Sequence, residues 1–238
     1  MTNLAAMTSA EVAERVAAGA FLAVPVGSTE QHGPHLPLAT DADVAVELCR
    51  RLARRRDALV APAVAFGASG EHSGFAGTLS IGHDALYAVL VELGRSATDT
   101  FERVLFVNGH GGNVPTVRRA VERLRYEGRP VLAFFAAPAD GDAHAGRTET
   151  SLQLAAHPEH VRLDLAEAGN VAPLAALMPA MRAGGVLAVS ANGVLGDPSG
   201  ASADVGRTLF DAMTDDLVAA VDTWLDVAHP NRTLTVVP

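Results

Sequence analysis

The sequence predicts an α/β fold in which a parallel sheet is covered by helices on both faces. Three observations lead there. Short apolar runs alternate with longer amphipathic stretches along the chain, the pattern of strands joined by crossover helices. The apolar runs are continuous rather than alternating in polarity, as they are in strands buried on both faces. Hydrophobic residues make up 49% of 238 positions but aromatics only 5%, so Ala, Val and Leu must fill the interior. That composition suits helices packed against a central sheet.

The elements follow in order. "TSAEVAERVAAG" (8–19) reads as a helix with Thr8 and Glu11 as a capping box and Gly19 as its stop. "FLAVPV" (21–26) is a first strand, and 41–56 has helical spacing with an acid at its start. "ALVAPAV" (58–64) is a second strand and 84–101 a helix. "RVLFVN" (103–108) is a third strand, 114–127 a helix, and "PVLAFFAA" (130–137) a fourth strand. A helix begins near Thr148, residues 158–201 are irregular, and 204–227 form a long final helix. No repeat, low-complexity segment or linker interrupts this order, so a single domain over 1–238 is expected.

Charge and composition exclude several classes. Lys plus Arg number 18 against 27 acids, a formal charge of −9, which argues against a nucleic-acid partner. The run "RRLARRR" (50–56) is read as the exposed C-terminal end of a helix. The one cysteine, Cys49, falls within a helical pattern and is read as a buried thiol, so no disulfide framework exists. No apolar run reaches 18 residues, so no membrane span is expected. The first residues lack a basic segment followed by an apolar one, and the cytoplasm is the expected compartment.

In open parallel sheets, sites form beyond the carboxyl ends of the strands. The polar segments of this chain follow its strands: "GSTEQHGPH" the first, "FGASGEHSGFAGTLS" the second, "NGHGGN" the third and "DGDAHAGRTETS" the fourth. Five of the nine histidines, His32, His35, His72, His110 and His144, lie in these four loops. Glu30 and His32 are two apart, so in extended backbone both point the same way. Asp41 sits at a helix start, placed to bridge. His110 lies between glycines that allow close backbone approach, and Glu149 lies near the start of the next helix. Two histidines and three carboxylates exceed one tetrahedral zinc. They suit two divalent ions sharing a carboxylate, roughly 3.5–4 Å apart, and nitrogen–oxygen ligation without thiolate favours Zn, Mn or Fe.

Such a pair acidifies a water and polarises a carbonyl, which points to hydrolysis of an amide-type bond. His144 is a candidate proton donor to the leaving nitrogen, although five residues before Glu149 it is expected on a different face. Glu71 and His72 either touch substrate or only order their loop. His35 is read as either structural or ligating, and His83, His157, His160 and His229 as surface or capping residues. Arg147 either pairs with a substrate carboxylate or is a simple exposed arginine. Trp224 is read as packing. "NGHGGN" looks like a phosphate cradle but lacks the Lys-Ser/Thr of a P-loop.

The segments "PVGSTEQHGPHLPLATD", "GEHSGFAGTLS", "NGHGGN", "HAGRTETS" and "GVLGDPSGASADVG", spanning 25–206, resemble the creatininase family of metal-dependent amidohydrolases. The resemblance implies a three-layer α/β/α fold with a mostly parallel central sheet, a two-metal centre and a homo-oligomer, often hexameric. It matches Glu30, His32, Asp41 and His110 to metal ligands, Asp41 to the bridging carboxylate and His144 to the catalytic histidine. Creatininase itself has a glutamate ligand where this chain has Gly112, and Glu149 is the candidate to replace it, with a catalytic role beside His144. The aromatic residues that close on creatinine have no evident counterpart. Within the family, "GASGEHSGFAGTLSIG" is most similar to the branch that cuts a small ribosomally made precursor peptide before its modified C-terminal Val-Tyr. That branch implies two ions, Zn and/or Fe with Mn possible, and a peptide substrate that Glu71, His72 and Arg147 help to bind. The rival readings are a family amidohydrolase acting on a small cyclic amide or a formamide, and a nonenzymatic protein holding an ion or anion.

Overall fold

The computed structural model describes residues 2–138 and 141–226. His229 lies outside them. Helix α1 (Ser9–Ala17) carries the expected capping box: Glu11 N–H donates to Thr8 Oγ1, and the Thr8 N–H donates to Glu11 Oε2 at 2.7 Å. The sheet comprises β1 (Phe21–Val26), β2 (Ala58–Val60), β3 (Val104–Asn108) and β4 (Val131–Phe135), all parallel, in the order β2-β1-β3-β4. Between and after the strands run α2 (Thr40–Ala53), α3 (Gly82–Ala97), α4 (Val114–Tyr126), α5 (Arg147–Ala156), α6 (Leu174–Gly184) and α7 (Ala203–Asp226).

Two cores flank the sheet, and successive residues of one strand feed opposite cores, as the period of two requires. Leu22, Val24 and Val26 of β1 pack with Leu86 and Leu90 of α3 and Val117 and Leu124 of α4. Phe21 and Ala23 pack with Leu48 and Leu52 of α2 and Phe210 and Leu217 of α7. This is the expected three-layer α/β/α arrangement. Trp224 packs edge-on against Phe21, and Cys49 is buried, its pKa pushed up by desolvation.

Three expectations need correction. The second strand ends at Val60 rather than residue 64, because Pro62 has no N–H to continue the ladder; Val64 rejoins β1 through an isolated bridge to Val26. The region expected to be irregular contains the eleven-residue α6. The arginine run is not simply exposed. Arg51 and Arg55 pair with Asp211 and Asp215 of α7 at 2.7 and 2.6 Å, and Arg56 pairs with Asp222. Among the described residues, no helix is long and apolar enough to cross a membrane.

Candidate metal centre

The strand order reverses direction between β1 and β3, the topological switch point at which open sheets bind ligands. The loop after β1 supplies Glu30 and His32, the first turn of α2 supplies Asp41, and the residue pair after β3 supplies Gly109 and His110. A Cβ at Gly109 would fall on the Asp41 carbonyl oxygen, so glycine there lets β3 bring His110 against the helix. Glu30, His32, Asp41 and His110 are all buried, with exposures of 0, 0, 3 and 5%.

Asp41 straddles two imidazoles. Its Oδ1 lies 3.2 Å from His32 Nε2, and its Oδ2 lies 3.1 Å from His110 Nδ1. Each ring is anchored through its other nitrogen: His32 Nδ1–H donates to the Glu30 carbonyl at 3.1 Å, and His110 Nε2–H donates to the Ala68 carbonyl at 3.3 Å. In these tautomers the nitrogens facing Asp41 carry lone pairs. Glu30 Oε2 lies 3.2 Å from His110 Nε2, and Glu149 Oε2 lies 3.8 Å from His32 Nε2. Glu30, Asp41 and His110 can converge on one point, and His32, His144 and Glu149 on a second.

These residues fit divalent cations. Glu30 Oε1 and Oε2 and Asp41 Oδ2 are buried and accept no hydrogen bond, and buried carboxylate oxygens are otherwise paired. Lone pairs of neutral histidines directed at carboxylates repel unless a proton or a cation lies between them. The donor set contains only nitrogen and oxygen, as Zn, Mn and Fe accept. Without a cation the site holds protons. Burial alone would lower the His32 pKa, but Asp41, Glu149 and Glu30 raise it to about 10. Burial opposes the same effect at His110, where Asp41 and Glu71 raise the pKa well above the usual range. Burial and the Asp41 charge raise Glu30 to about 8. Burial would raise Asp41 too, but His32 and His110 hold it well below the carboxylate range.

Groups with raised pKa hold protons that a cation must displace, so loading releases protons and affinity rises with pH. Titrating the metal-free protein with Zn²⁺ in weak buffer should acidify the solution, and apparent affinity should increase from about pH 6 to about pH 8. Binding without proton release would contradict this charge arrangement.

His144 and Glu149 converge, contrary to the expectation of separate faces: His144 Nδ1 lies 3.9 Å from Glu149 Oε2. The reason is Ala145, whose φ of 52° is left-handed. The strained residue costs about 1 kcal/mol and turns the chain so that its N–H donates to Glu149 Oε2 at 2.5 Å. Burial raises Glu149 to about 7, with His32 opposing and Asp41 assisting. His144 Nε2–H donates to the Gln31 carbonyl at 2.8 Å, leaving Nδ1 bare. Burial, with His32 and His72 nearby, lowers the His144 pKa well below its usual value, so the ring is neutral.

The other candidates separate. His35 is buried, and its Nε2 bonds Thr150 Oγ1 at 2.8 Å, tying the first loop to α5 rather than reaching the centre. His72 is buried beside Glu30, its Nε2 3.2 Å from Glu30 Oε1. Burial is the main cause that lowers its pKa to about 4. Glu71 is partly exposed and lies 3.5 Å from His110 Nε2. A Cβ at Gly112 would fall on Glu71 Oε1, so the Glu71 carboxylate stands where a side chain at 112 would begin. His83 bonds Thr116 of α4 at 2.8 Å, and His157 and His160 stack on each other near the surface. Arg147 is exposed, its Nε donating to the Gly200 carbonyl at 3.3 Å.

Sequence reasoning missed Gln31 and Ala145. Gln31 lies between two acid–base residues of an extended run, where alternation points it away from them. Nothing in an alanine signals positive φ. A cavity of about 910 Å³ opens beside the centre and reaches Asp41 and Glu149; Arg147, Asp142, Asn170 and Asp197 line it farther out. Part of the 158–201 segment thus forms the cavity wall, as long loops beside sites do.

The profile described as Creatininase, creatinine amidohydrolase, matches residues 5–221. A mycofactocin precursor peptide peptidase of Mycobacterium ulcerans (strain Agy99) is 52% identical over 210 residues, 84% of each chain. The protein of the same description from Mycobacterium tuberculosis (strain ATCC 25618 / H37Rv) is 51% identical over 224 residues, 90% of this chain and 88% of that one. Two solved structures share the fold. One, described as creatininase Mn, has TM-score 0.80 at 27% identity, covering 93% of this chain and 98% of that one. The other, a Glu-to-Gln mutant creatininase of Zn-Zn type, has TM-score 0.81 at 27% identity, covering 93% and 97%. The descriptions of these two structures name zinc and manganese, and this chain holds a histidine–carboxylate cluster at its sheet edge. A matching profile over most of the length, a shared architecture and relatives identical at half their positions lead to one conclusion: the chain belongs to the creatininase family.

Proposed function

We propose that this chain is a metal-dependent peptidase that hydrolyses the amide bond before the modified C-terminal Val-Tyr of the mycofactocin precursor peptide. The observation that carries the chemistry is Asp41, which presents one oxygen to each of two anchored histidines and opens onto the cavity. The substrate follows from the description shared by relatives more than 50% identical. The reading assigns Glu30, Asp41 and His110 to one ion and His32, Asp41 and Glu149 to a second, with Zn or Fe, or else Mn, suited to the donors. It takes the enzyme as a cytoplasmic homo-oligomer, hexameric by family resemblance.

Divalent ions held there would supply an acidified water and a polarised substrate carbonyl. The protein does the rest. Glu149 and the bare Nδ1 of His144, 3.9 Å apart, face one point and would take the proton of the attacking water. His144 then returns that proton to the leaving nitrogen, so the C–N bond breaks after the C–O bond has formed and the products are an acid and an amine. Arg147 on the cavity wall is assigned to substrate binding, and Glu71 and His72 line the other side of the His110 ring.

The cavity also weighs against a small cyclic amide or formamide as substrate. At about 910 Å³ it falls at the upper end of the roughly 300–1,000 Å³ of small-molecule sites, ample for a peptide tail. A purely structural ion site is closed, and this one opens onto the cavity. The test is mass spectrometry of metal-loaded protein incubated with a peptide bearing the modified Val-Tyr, and separately with creatinine. Release of the C-terminal dipeptide product, abolished by chelation, is the expected result. Turnover of creatinine alone would overturn the substrate, and inertness at full metal occupancy would overturn the enzyme reading.

A further inference from the structure

Gln31 is buried in a hydrogen-bond network that fixes the orientation of its amide. Its Oε1 accepts from the Gly33 N–H at 2.9 Å. Its Nε2 lies 2.8 Å from His72 Nδ1 and 3.1 Å from the Gly193 carbonyl oxygen. Flipping the amide would set oxygen against the Gly193 carbonyl and NH₂ against the Gly33 N–H, two repulsive contacts in place of two bonds. The amide nitrogen therefore faces His72 and Gly193, and its two hydrogens are used there. Its 3.1 Å approach to His144 Nε2 is then a contact without a bond, since that nitrogen donates to the Gln31 carbonyl.

The consequence passes to His72. A ring nitrogen that accepts from an amide carries no proton, so the neutral ring of His72 must be protonated at Nε2. That nitrogen lies 3.2 Å from Glu30 Oε1, a polar contact short of a directed hydrogen bond. Although Glu30, His72 and His144 lie close enough to hold an ion, His72 in this tautomer has no lone pair to offer one. We infer that Gln31 is a positioning residue of the metal centre: its carboxamide locks His72 in the Nε2–H tautomer with that N–H beside the Glu30 carboxylate, making His72 an outer electrostatic neighbour of that carboxylate and neither a metal ligand nor a substrate contact. The loop at Gly193 belongs to the same device. A Cβ at Gly193 would fall on Gln31 Oε1, and the residue has φ of 81°, so glycine alone allows the loop to close over the amide. Outer groups that neighbour a liganding side chain typically change metal affinity by about 10–100-fold.

This inference rests on the metal-centre reading and not on the peptide substrate. The test uses the zinc-loaded full chain labelled with ¹⁵N-histidine, in which long-range ¹H–¹⁵N correlation shows which ring nitrogen of His72 carries the proton. Wild type should show Nε2–H with a bare Nδ1. Gln31→Glu, which presents only acceptors, should move the proton to Nδ1, and Gln31→Leu should weaken zinc binding by about 10–100-fold. A proton on Nδ1 in wild type would overturn the inference, with no variant needed. So would an unchanged tautomer in Gln31→Glu, or unchanged zinc affinity in Gln31→Leu. Peptide turnover enters none of these readouts. A chain that binds zinc, shows the Nε2–H tautomer and cuts no peptide would remove the proposed substrate and leave this inference standing.

Discussion

Asp41→Asn should reduce peptide hydrolysis by more than about 10³-fold and leave the purified protein short of metal. The change is nearly isosteric, so the cause is electronic. Asp41 gives one oxygen to His32 and one to His110. An asparagine keeps one acceptor and turns the other position into an NH₂, which donates to the lone pair of whichever ring it faces and removes that nitrogen as a ligand. One bridging anion is lost together with one imidazole. Metal analysis beside the peptide assay, with circular dichroism to verify the fold, checks the prediction. Full metal content and ordinary turnover in the variant would remove Asp41 from the centre.

Gly206→Ala should lower stability by about 1–3 kcal/mol, a fall in melting temperature of about 3–10 °C for a chain of this size. A Cβ at Gly206 would fall on the Ser151 carbonyl oxygen, with the Ser151 carbonyl carbon 2.5 Å and Ala155 Cβ 2.9 Å away. Two of these three obstacles are backbone, so no rotamer change relieves them and α7 must move from α5. Because α5 begins at Arg147 and carries Glu149 in its first turn, the displacement should also weaken zinc binding. Thermal melts with and without zinc measure both effects. An unchanged melting temperature would show that the two helices separate at no cost.

The sheet was the most legible part of the chain. The first strand falls on residues 21–26 as read, and the third only loses Arg103, because continuous apolar runs flanked by polar segments leave little choice. The convergence of Glu30, His32, Asp41 and His110 was legible for a related reason: residues that follow parallel strands must meet at one edge. What escaped was held by distant or backbone-level causes. α6 contains Pro179, which reads as a breaker. The partners of the arginine run lie about 160 residues away on α7. His144 precedes its helix, so helical face geometry did not apply to it, and the positive φ of Ala145 has no sequence signal. Gln31 was hidden because alternation describes one run of backbone, whereas His72 and Gly193 reach it from elsewhere in the chain.

The arginine–aspartate pairs between α2 and α7 act as an index mark. Arg51 lies in the last turn of α2 and Arg55 two residues past its end, while their partners Asp211 and Asp215 stand one turn apart on α7, so the C-terminal end of α2 is keyed to successive turns of α7. A slip of one turn would carry Arg51 to Asp215 and displace the axis by about 5.4 Å. Intermediate positions satisfy neither pair. Each exposed pair contributes little to stability by itself; the packing of Leu48 and Leu52 in the core holds α2, and the pairs add a charge pattern that matches only whole-turn settings. Asp41 projects from the opposite end of that helix. Its depth at the sheet edge is therefore held by the core and echoed, in whole turns, by surface charges that never approach the reaction.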